Sequence, residues 1–250
     1  MKHLLKSALA ALGYRVQGTR YCPRQLLEPG CLRVIEFDDL VCRRMFESGP
    51  ELAFIQVGAF DGITRDPLRK YINKCGWSGV LVEPQARAAK QLRELYRGND
   101  RVVILQAALD RDFGSRTLFT VESETAPAWA GGLACFRPET IVKHSDLIPG
   151  LPGMIGEETV DCITFDEVLG RLPSERIDLL QIDTEESDAH ILSLFPFDRV
   201  TPAIIHWEVK HLSKFQQEQT LEMLRRRGYR LARSGAEDML AALDEPKGAC

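Results

Sequence analysis

Apolar residues along this chain gather in short runs that end at glycine or at a carboxylate, with helical spacing between the runs. Phe54-Ile55-Gln56-Val57 enters Gly58-Ala59-Phe60-Asp61-Gly62. Gly79-Val80-Leu81-Val82 stops at Glu83-Pro84. Ile177-Asp178-Leu179-Leu180-Gln181-Ile182 stops at Asp183. Runs without polar alternation mark strands covered on both faces. The pattern predicts strands over 53–58, 79–83, 101–106, 177–182 and 203–208. Helices are expected after Asp66-Pro67, after Pro84 and over 213–227. Ala88, Leu92, Leu95 and Tyr96 keep helical spacing in the second of these. Strands alternating with helices predict an α/β fold, a mostly parallel sheet with helices on both faces. Gly228–Arg233 and Asp238–Leu243, joined at Ser234-Gly235, predict an antiparallel hairpin closing it.

Two stretches depart from the alternation. Ser115–Val121 reads as an extra strand, and the Gly-, Pro-, Ser- and Thr-rich stretch 122–158 follows it. It is too long for an ordinary connection, so it is expected to be a lid, a substrate loop or disordered. Residues 1–50 read as a mostly helical extension, ending at Ser48-Gly49-Pro50. The expected organisation is therefore an extension over 1–50 and one domain over 51–250 with an insertion at about 122–158.

Composition narrows the partners. In 250 residues, 44% hydrophobic and 27% charged content is that of a soluble globular protein. A net charge of −4 supplies no basic field, so nucleic acid is not expected as a partner. Seven cysteines are irregularly spaced, without a C-x-x-C pair, and read as reduced thiols of a cytoplasmic protein. Lys6 interrupts the apolar run of Met1–Leu12, which predicts a short amphipathic helix packed on the domain. No segment reaches the ~20 apolar residues needed for stable membrane insertion.

The strand ends carry the candidate chemistry. Gly58 and Gly62 flank the first strand-to-helix turn, either to let backbone approach a ligand or to make a tight turn with none. The full G-x-G-x-x-G is absent, which favours a small ligand tail over a pyrophosphate. Glu83 can accept both hydroxyls of a ribose, or simply precede a helix N-terminus. Gln106-Ala107-Ala108 leaves room for a flat base, or is ordinary core packing. Asp183 directly follows a strand, at the edge where open α/β sheets bind ligands. Glu185, Glu186 and Asp188 crowd beside it, and Asp188 reads as a helix N-terminal acid. Alternation places His206 and Glu208 on one face, with His206 either a proton acceptor or structural. His144 lies in the insertion and reaches a substrate if that segment is a lid; otherwise it is a surface residue. Asp183 with Glu208 has the oxygen donors for a hard cation, but no motif demands one, so no metal ligand is assigned.

In order along the chain, Phe54–Gly62, Gly79–Pro84, Ala107–Leu109, Val160–Asp166, Asp178–Glu185 and Ile205–Glu208 resemble the FkbM-type family of S-adenosylmethionine-dependent methyltransferases. The resemblance spans about 51–243. It implies a Rossmann-like class I methyltransferase sheet, S-adenosyl-L-methionine as cofactor, and O-methylation of a hydroxyl on a sugar, glycolipid or natural product. By the same resemblance, Gln56, Gly58, Ala59, Asp61, Gly62, Glu83, Pro84, Ala107 and Asp183 bind the cofactor. Asp183 and His206 then stand as catalytic groups, and Glu185, Glu208 and His144 as contacts to a small-molecule or glycan acceptor. A homo-oligomer is compatible with it. The chain departs from the family with Gln181 where lysine is usual, Glu186 where glycine is usual, and Gln56 where an acid is common. The bulk and charge of Glu186 are expected to alter the acceptor or to remove turnover. The rival readings are a nicotinamide-dependent oxidoreductase, which shares the glycine turn and Glu83, and a binding module that keeps the fold without turnover.

Overall fold

The structure is a computed structural model, and it describes residues 33–243 apart from Glu124. The helix expected over Met1–Leu12 lies outside the described residues. Chain contacts separate Met1–Arg33 from a compact unit, Val34–Cys250. The sequence-based boundary at residue 50 falls inside that unit, because the helix before it contributes to the core. This helix, α1 (Phe37–Ser48), buries Phe37 and Val41.

The expected alternation is present. The main sheet has eight strands in the order β1-β11-β12-β10-β9-β2-β3-β4. Its members are β1 (Arg33–Val34), β2 (Ala53–Val57), β3 (Ser78–Val82), β4 (Val102–Leu105), β9 (Leu179–Ile182), β10 (Ile204–Glu208), β11 (Arg230–Ser234) and β12 (Asp238–Ala242). The strands β4-β3-β2-β9-β10 run parallel. The hairpin β11–β12 joins β10 antiparallel, and β1 lies beyond β11 at the edge. Every residue of β2 and β9 is buried, as a sheet covered on both faces requires. Chain order reverses between β2 and β9: β3 and β4 lie to one side of β2, and β9 and β10 to the other. Open α/β sheets bind ligands outside the carboxyl ends of the strands at such a reversal.

Helices α2 (Arg69–Cys75) and α3 (Ala86–Leu95) follow β2 and β3. Their apolar residues Tyr71, Ile72 and Leu92 join Phe37, Val41, Phe54, Trp77 and Leu81 in the principal core. Tyr71 stacks on Trp77 with ring centroids 4.6 Å apart. Helices α6 (Asp188–Leu194) and α7 (Lys214–Arg226) follow β9 and β10. Ser213 opens α7 with a capping box shared with Gln216.

The stretch expected as a lid or loop is an ordered subdomain. β5 (Ala108–Leu109), β6 (Gly114–Val121), β7 (Ala134–Cys135) and β8 (Ile155–Ile163) form a second sheet, in the order β5-β8-β6-β7. Two 3-10 turns, Ala128–Gly132 and Leu151–Met154, and α4 (Pro138–Val142) lie between its strands, and α5 (Phe165–Gly170) follows. Val121, Leu133, Ile141, Ile148 and Leu151 form a core of its own.

Asp178 ties α1 to the start of the main sheet. It is wholly buried. Oδ1 accepts from Arg44 Nε (3.2 Å) and Nη2 (2.9 Å), and Oδ2 from the Ala53 backbone N–H (2.9 Å). Arg176 Nε lies 3.2 Å from Oδ2. Asp178→Ala should lower the unfolding free energy by about 3 kcal/mol in urea titrations, since it leaves the buried Ala53 N–H without its acceptor and removes a buried carboxylate from between two arginines. Arg176→Ala, on a more exposed side chain, should cost under about 1 kcal/mol.

Candidate active site

Strand register builds the site. Val57 of β2 pairs with Val82 of β3 and with Ile182 of β9. Val82 pairs with Leu105, and Ile182 with Trp207. The residues that follow, Gln106, Glu83, Gly58, Asp183 and Glu208, therefore make a row across five strand tips. Two strand spacings separate Glu83 from Asp183, about 10 Å. Above this row lies a cavity of about 310 Å³. Its walls come from the main-sheet tips and from the subdomain, which contributes Trp129, Leu133, Phe136, His144 and Leu147. That volume is at the small end of ligand pockets.

Gly58 holds the row together. Its φ is +82°, and a Cβ would lie 1.7 Å from the Asp183 carbonyl oxygen. Its N–H donates to Val82 O (2.9 Å). The missing side chain therefore makes room for backbone, with no ligand needed to explain it. Gly62 (φ +69°) makes room for Leu92 and Leu95 of α3 and does not reach the cavity. Asp61 does not reach it either: Oδ1 accepts the N–H groups of Ile63 (2.8 Å) and Thr64 (2.7 Å), closing a local turn. Gln56, Ala59, Pro84 and Ala107 do line the cavity.

Glu83 is buried at the wall. Oε2 accepts the Phe60 N–H (2.7 Å) and Oε1 the Gln85 N–H (2.9 Å). Burial pushes its carboxyl up to about 7, against these two bonds. The Gln85 side chain also bonds this carboxyl, which keeps lone-pair capacity for a further donor. Asp66, read from the sequence as a helix-start residue, also lines the cavity. Oδ1 does accept from Leu68 N–H (2.7 Å), but Oδ2 is buried without a partner. Gln56 Oε1 is likewise buried and unpartnered, and Gln56 Nε2 lies 3.5 Å from Asp66 Oδ1. Both orphaned acceptors are on cavity-lining residues.

The other end of the cavity is acidic. Asp183, Glu185 and Glu208 line it, beside Lys210. Asp183 is open to the cavity. Surrounding protein, then Asp188 and Glu185, push its carboxyl above the usual range. Glu208 is raised by burial and then by Asp183. Asp188 is fully buried and structural: it accepts from Thr184 N–H (3.2 Å), Thr184 Oγ1 (3.0 Å) and Glu208 N–H (3.3 Å). Burial holds it at about 6.

His206 does not line the cavity. Its ring stacks on Phe37 of α1, centroids 4.8 Å apart, and its Nδ1–H donates to Gln181 Oε1 (2.6 Å). Expectation placed it beside Glu208 as a proton acceptor; here the strand tip carries Glu208 into the site and leaves His206 under α1. Burial depresses its imidazole to about 4. Glu186 also lies outside the cavity walls. Its carboxylate accepts from Arg137 Nη2 (3.0 Å) and from Thr140 Oγ1 on α4. The bulk noted in the sequence thus joins the subdomain to the β9–α6 loop.

Among the described residues, three non-glycines have left-handed backbone: Phe60 (φ 46°), Arg65 (φ 56°) and Glu185 (φ 64°). All three line the cavity. Such strain gathers where function over-determines the backbone.

The profile of the family described as Methyltransferase FkbM domain matches residues 56–231. The chain belongs to the FkbM methyltransferase family. An FkbM methyltransferase from Methylobacillus flagellatus is similar in structure, with 13% identity and a TM-score of 0.49 over 79% of this chain and 46% of that one. This chain thus spans less than half the length of that protein. A fibrillarin pre-rRNA processing protein from Methanococcus jannaschii aligns with 10% identity and a TM-score of 0.41, over 79% of this chain and 68% of that one. An RNA methyltransferase from Salinibacter ruber, in complex with S-adenosyl-L-homocysteine, aligns with 11% identity and a TM-score of 0.36, over 87% and 97%. No curated protein matches the chain. Among the described residues no helix is long and apolar enough to cross a membrane.

Two outcomes test this geometry. Gly58→Ala should cost well over 2 kcal/mol by urea denaturation, since strain and a backbone clash add. Gly235→Ala, at φ +71° with nothing within 4 Å, should cost only the strain, about 1 kcal/mol. His206 stays neutral in the fold to about pH 4, whereas the unfolded imidazole takes a proton near 6.5. Its contribution is therefore complete above pH 6.5 and lost as pH falls toward 4. Wild type should lose up to about 3 kcal/mol across that window relative to His206→Phe.

Proposed function

We propose that the protein is an S-adenosyl-L-methionine-dependent O-methyltransferase acting on a hydroxyl of a sugar, glycolipid or natural product. One observation carries this reading: residues that line the cavity hold buried oxygens without donors, which a ligand with cationic and diol groups would supply. Gln56 Oε1 and Asp66 Oδ2 are buried acceptors without donors. An α-ammonium supplies those donors. Glu83, a carboxyl at the tip of β3, is the group to accept from a ribose diol. Small Ala107 and Ala108 leave room beside it for a flat base. Asp183, two tips away, sets negative charge where a sulfonium would lie.

Bound there, S-adenosyl-L-methionine supplies an electrophilic methyl carbon. The chain's part is orientation and proton handling. The subdomain wall, Trp129 and Phe136 among its residues, confines the acceptor and excludes water, so the two reactants meet in line. Asp183 is the group placed to take the hydroxyl proton. Glu185, Glu208 and His144 share the acceptor end, whereas His206 is given no catalytic part. Asp61 and Gly62 support the cofactor loop without touching its ligand. In this reading Asp66 stands in for the acid absent at Gln56.

The same pattern weighs against a nicotinamide cofactor, because two orphaned acceptors are poor partners for a pyrophosphate. Calorimetry should give micromolar binding of S-adenosyl-L-methionine. Asp66→Asn and Glu83→Ala should each weaken it at least tenfold, with His206→Phe near wild type. Absence of binding at millimolar cofactor defeats the proposal. Transfer of a labelled methyl group to an extract component, cleaved by mild base, would instead mark an ester and overturn the hydroxyl acceptor.

A further inference from the structure

We propose that His144, Glu185 and His211 bind one divalent first-row transition-metal ion at the acceptor end of the cavity. The ligand atoms of the three residues lie within 4.8 Å of one another. His211 Nε2 is 3.3 Å from Glu185 Oε2 and 3.7 Å from Glu208 Oε2. The rings of His144 and His211 approach to 5.9 Å. Four-coordinate ligands about 2.1 Å from a metal stand about 3.4 Å apart. Side-chain shifts of about 1 Å would therefore close the site around an ion. Two imidazoles and one carboxylate suit zinc, manganese, iron or cobalt better than calcium or magnesium, which prefer oxygen alone.

An independent observation points to a missing partner. His144 Nε2, His211 Nε2 and Glu208 Oε2 are all buried and make no hydrogen bond. Buried polar atoms are nearly always satisfied. A cation held by the two imidazole nitrogens accounts for two of these orphans, and Glu208 Oε2, 3.7 Å from His211 Nε2, would lie beside its charge. Asp183, Glu185, Asp188 and Glu208 also crowd this end, with Lys210 the lysine at the cavity wall, itself 3.3 Å from Glu237.

The scaffold ties the segments carrying Glu185 and His144 together. Glu185 sits at φ 64° in a turn closed by Glu186 N–H donating to Thr184 O (2.8 Å). Three-residue turns with positive φ are rare and strained. The next side chain, Glu186, grips Arg137 and Thr140 at the start of α4. His144 follows the end of α4, its N–H donating to Ile141 O (2.9 Å). Glu186 thus links the backbone carrying Glu185 to the segment carrying His144. That makes Glu186 a positioning residue. Three protein ligands leave coordination positions for a hydroxyl, whose proton a Lewis acid makes easier to remove. This role rests on the proposed methyl transfer; ion binding does not.

The full-length protein, stripped with EDTA and without cofactor, is titrated with Co²⁺ and followed by visible absorption and equilibrium dialysis. One ion per chain is expected, with d–d bands of nitrogen and oxygen ligation. His144→Ala and His211→Ala should each weaken binding more than tenfold, and Glu186→Gly several-fold. His190→Ala should change nothing. Circular dichroism of the EDTA-treated variants checks that each is folded. No bound Co²⁺ overturns the site, as does binding indifferent to His144 and His211 or showing thiolate charge-transfer bands. Since S-adenosyl-L-methionine is left out, failure here and failure of the cofactor assignment are read separately.

Discussion

The approach of the Asp183 carbonyl to Gly58 is the constraint on which the rest of the site depends. Two adjacent parallel strands, β2 and β9, stay paired to their ends at the sheet's reversal, where the Asp183 N–H donates to Val57 O (2.9 Å). A Cβ at position 58 would stand 1.7 Å from the Asp183 carbonyl oxygen. Glycine removes the obstacle and accepts the positive φ at little cost. With the obstacle gone, the next residues on five strands share one level. Carboxylates from β3, β9 and β10 then face a common space. In the usual Rossmann picture the first glycines serve the ligand. In this fold they serve the chain: Gly58 lets a strand end come close, and Gly62 lets α3 pack. The ligand is left to side chains.

Those side chains are unbalanced on purpose-built ground. Gln56 and Asp66 hold orphaned oxygens at one end, and a crowd of acids stands at the other. Buried like charges raise one another's proton affinity, and a cation relieves them. The strain at Phe60, Arg65 and Glu185 belongs to the same account, since relaxed backbone there would move cavity walls. The subdomain completes the enclosure. Gly131 and Gly132 lie over the Phe60 ring, with ideal Cβ positions 3.4 and 3.6 Å from it. Phe60 in turn donates its N–H to Glu83. Enclosure and carboxylate are thus mechanically joined.

Much of this was legible in the residue pattern, because buried parallel strands write themselves as apolar runs. Five parallel strands, the hairpin and their flanking helices lie within a residue or two of expectation. The second sheet was not legible beyond β6. Strand β8, Ile155-Gly156-Glu157-Glu158-Thr159-Val160-Asp161-Cys162-Ile163, is largely polar and only partly buried. Strands β5, which pairs with β8, and β7, which pairs with β6, are two residues each, too short for periodicity to register. Asp66 was hidden differently. It really does accept from Leu68 N–H, and the local signal exhausted its meaning. His206 drew attention as a histidine near an acid, but α1, remote in sequence, covers it.

Sequence alone determined the layering, the strand ends and the residue types available at them. These follow from local physics: apolar runs seek burial, glycine permits positive φ, and carboxylates end strands where water or ligand can reach. Tertiary structure decided which of these groups meet. Asp66 faces Gln56, His144 approaches His211, and Glu186 takes hold of α4, all through contacts between segments that local preference does not link. Distance along a chain says little about distance across a sheet, since register and packing against remote elements decide which side chain reaches a shared cavity.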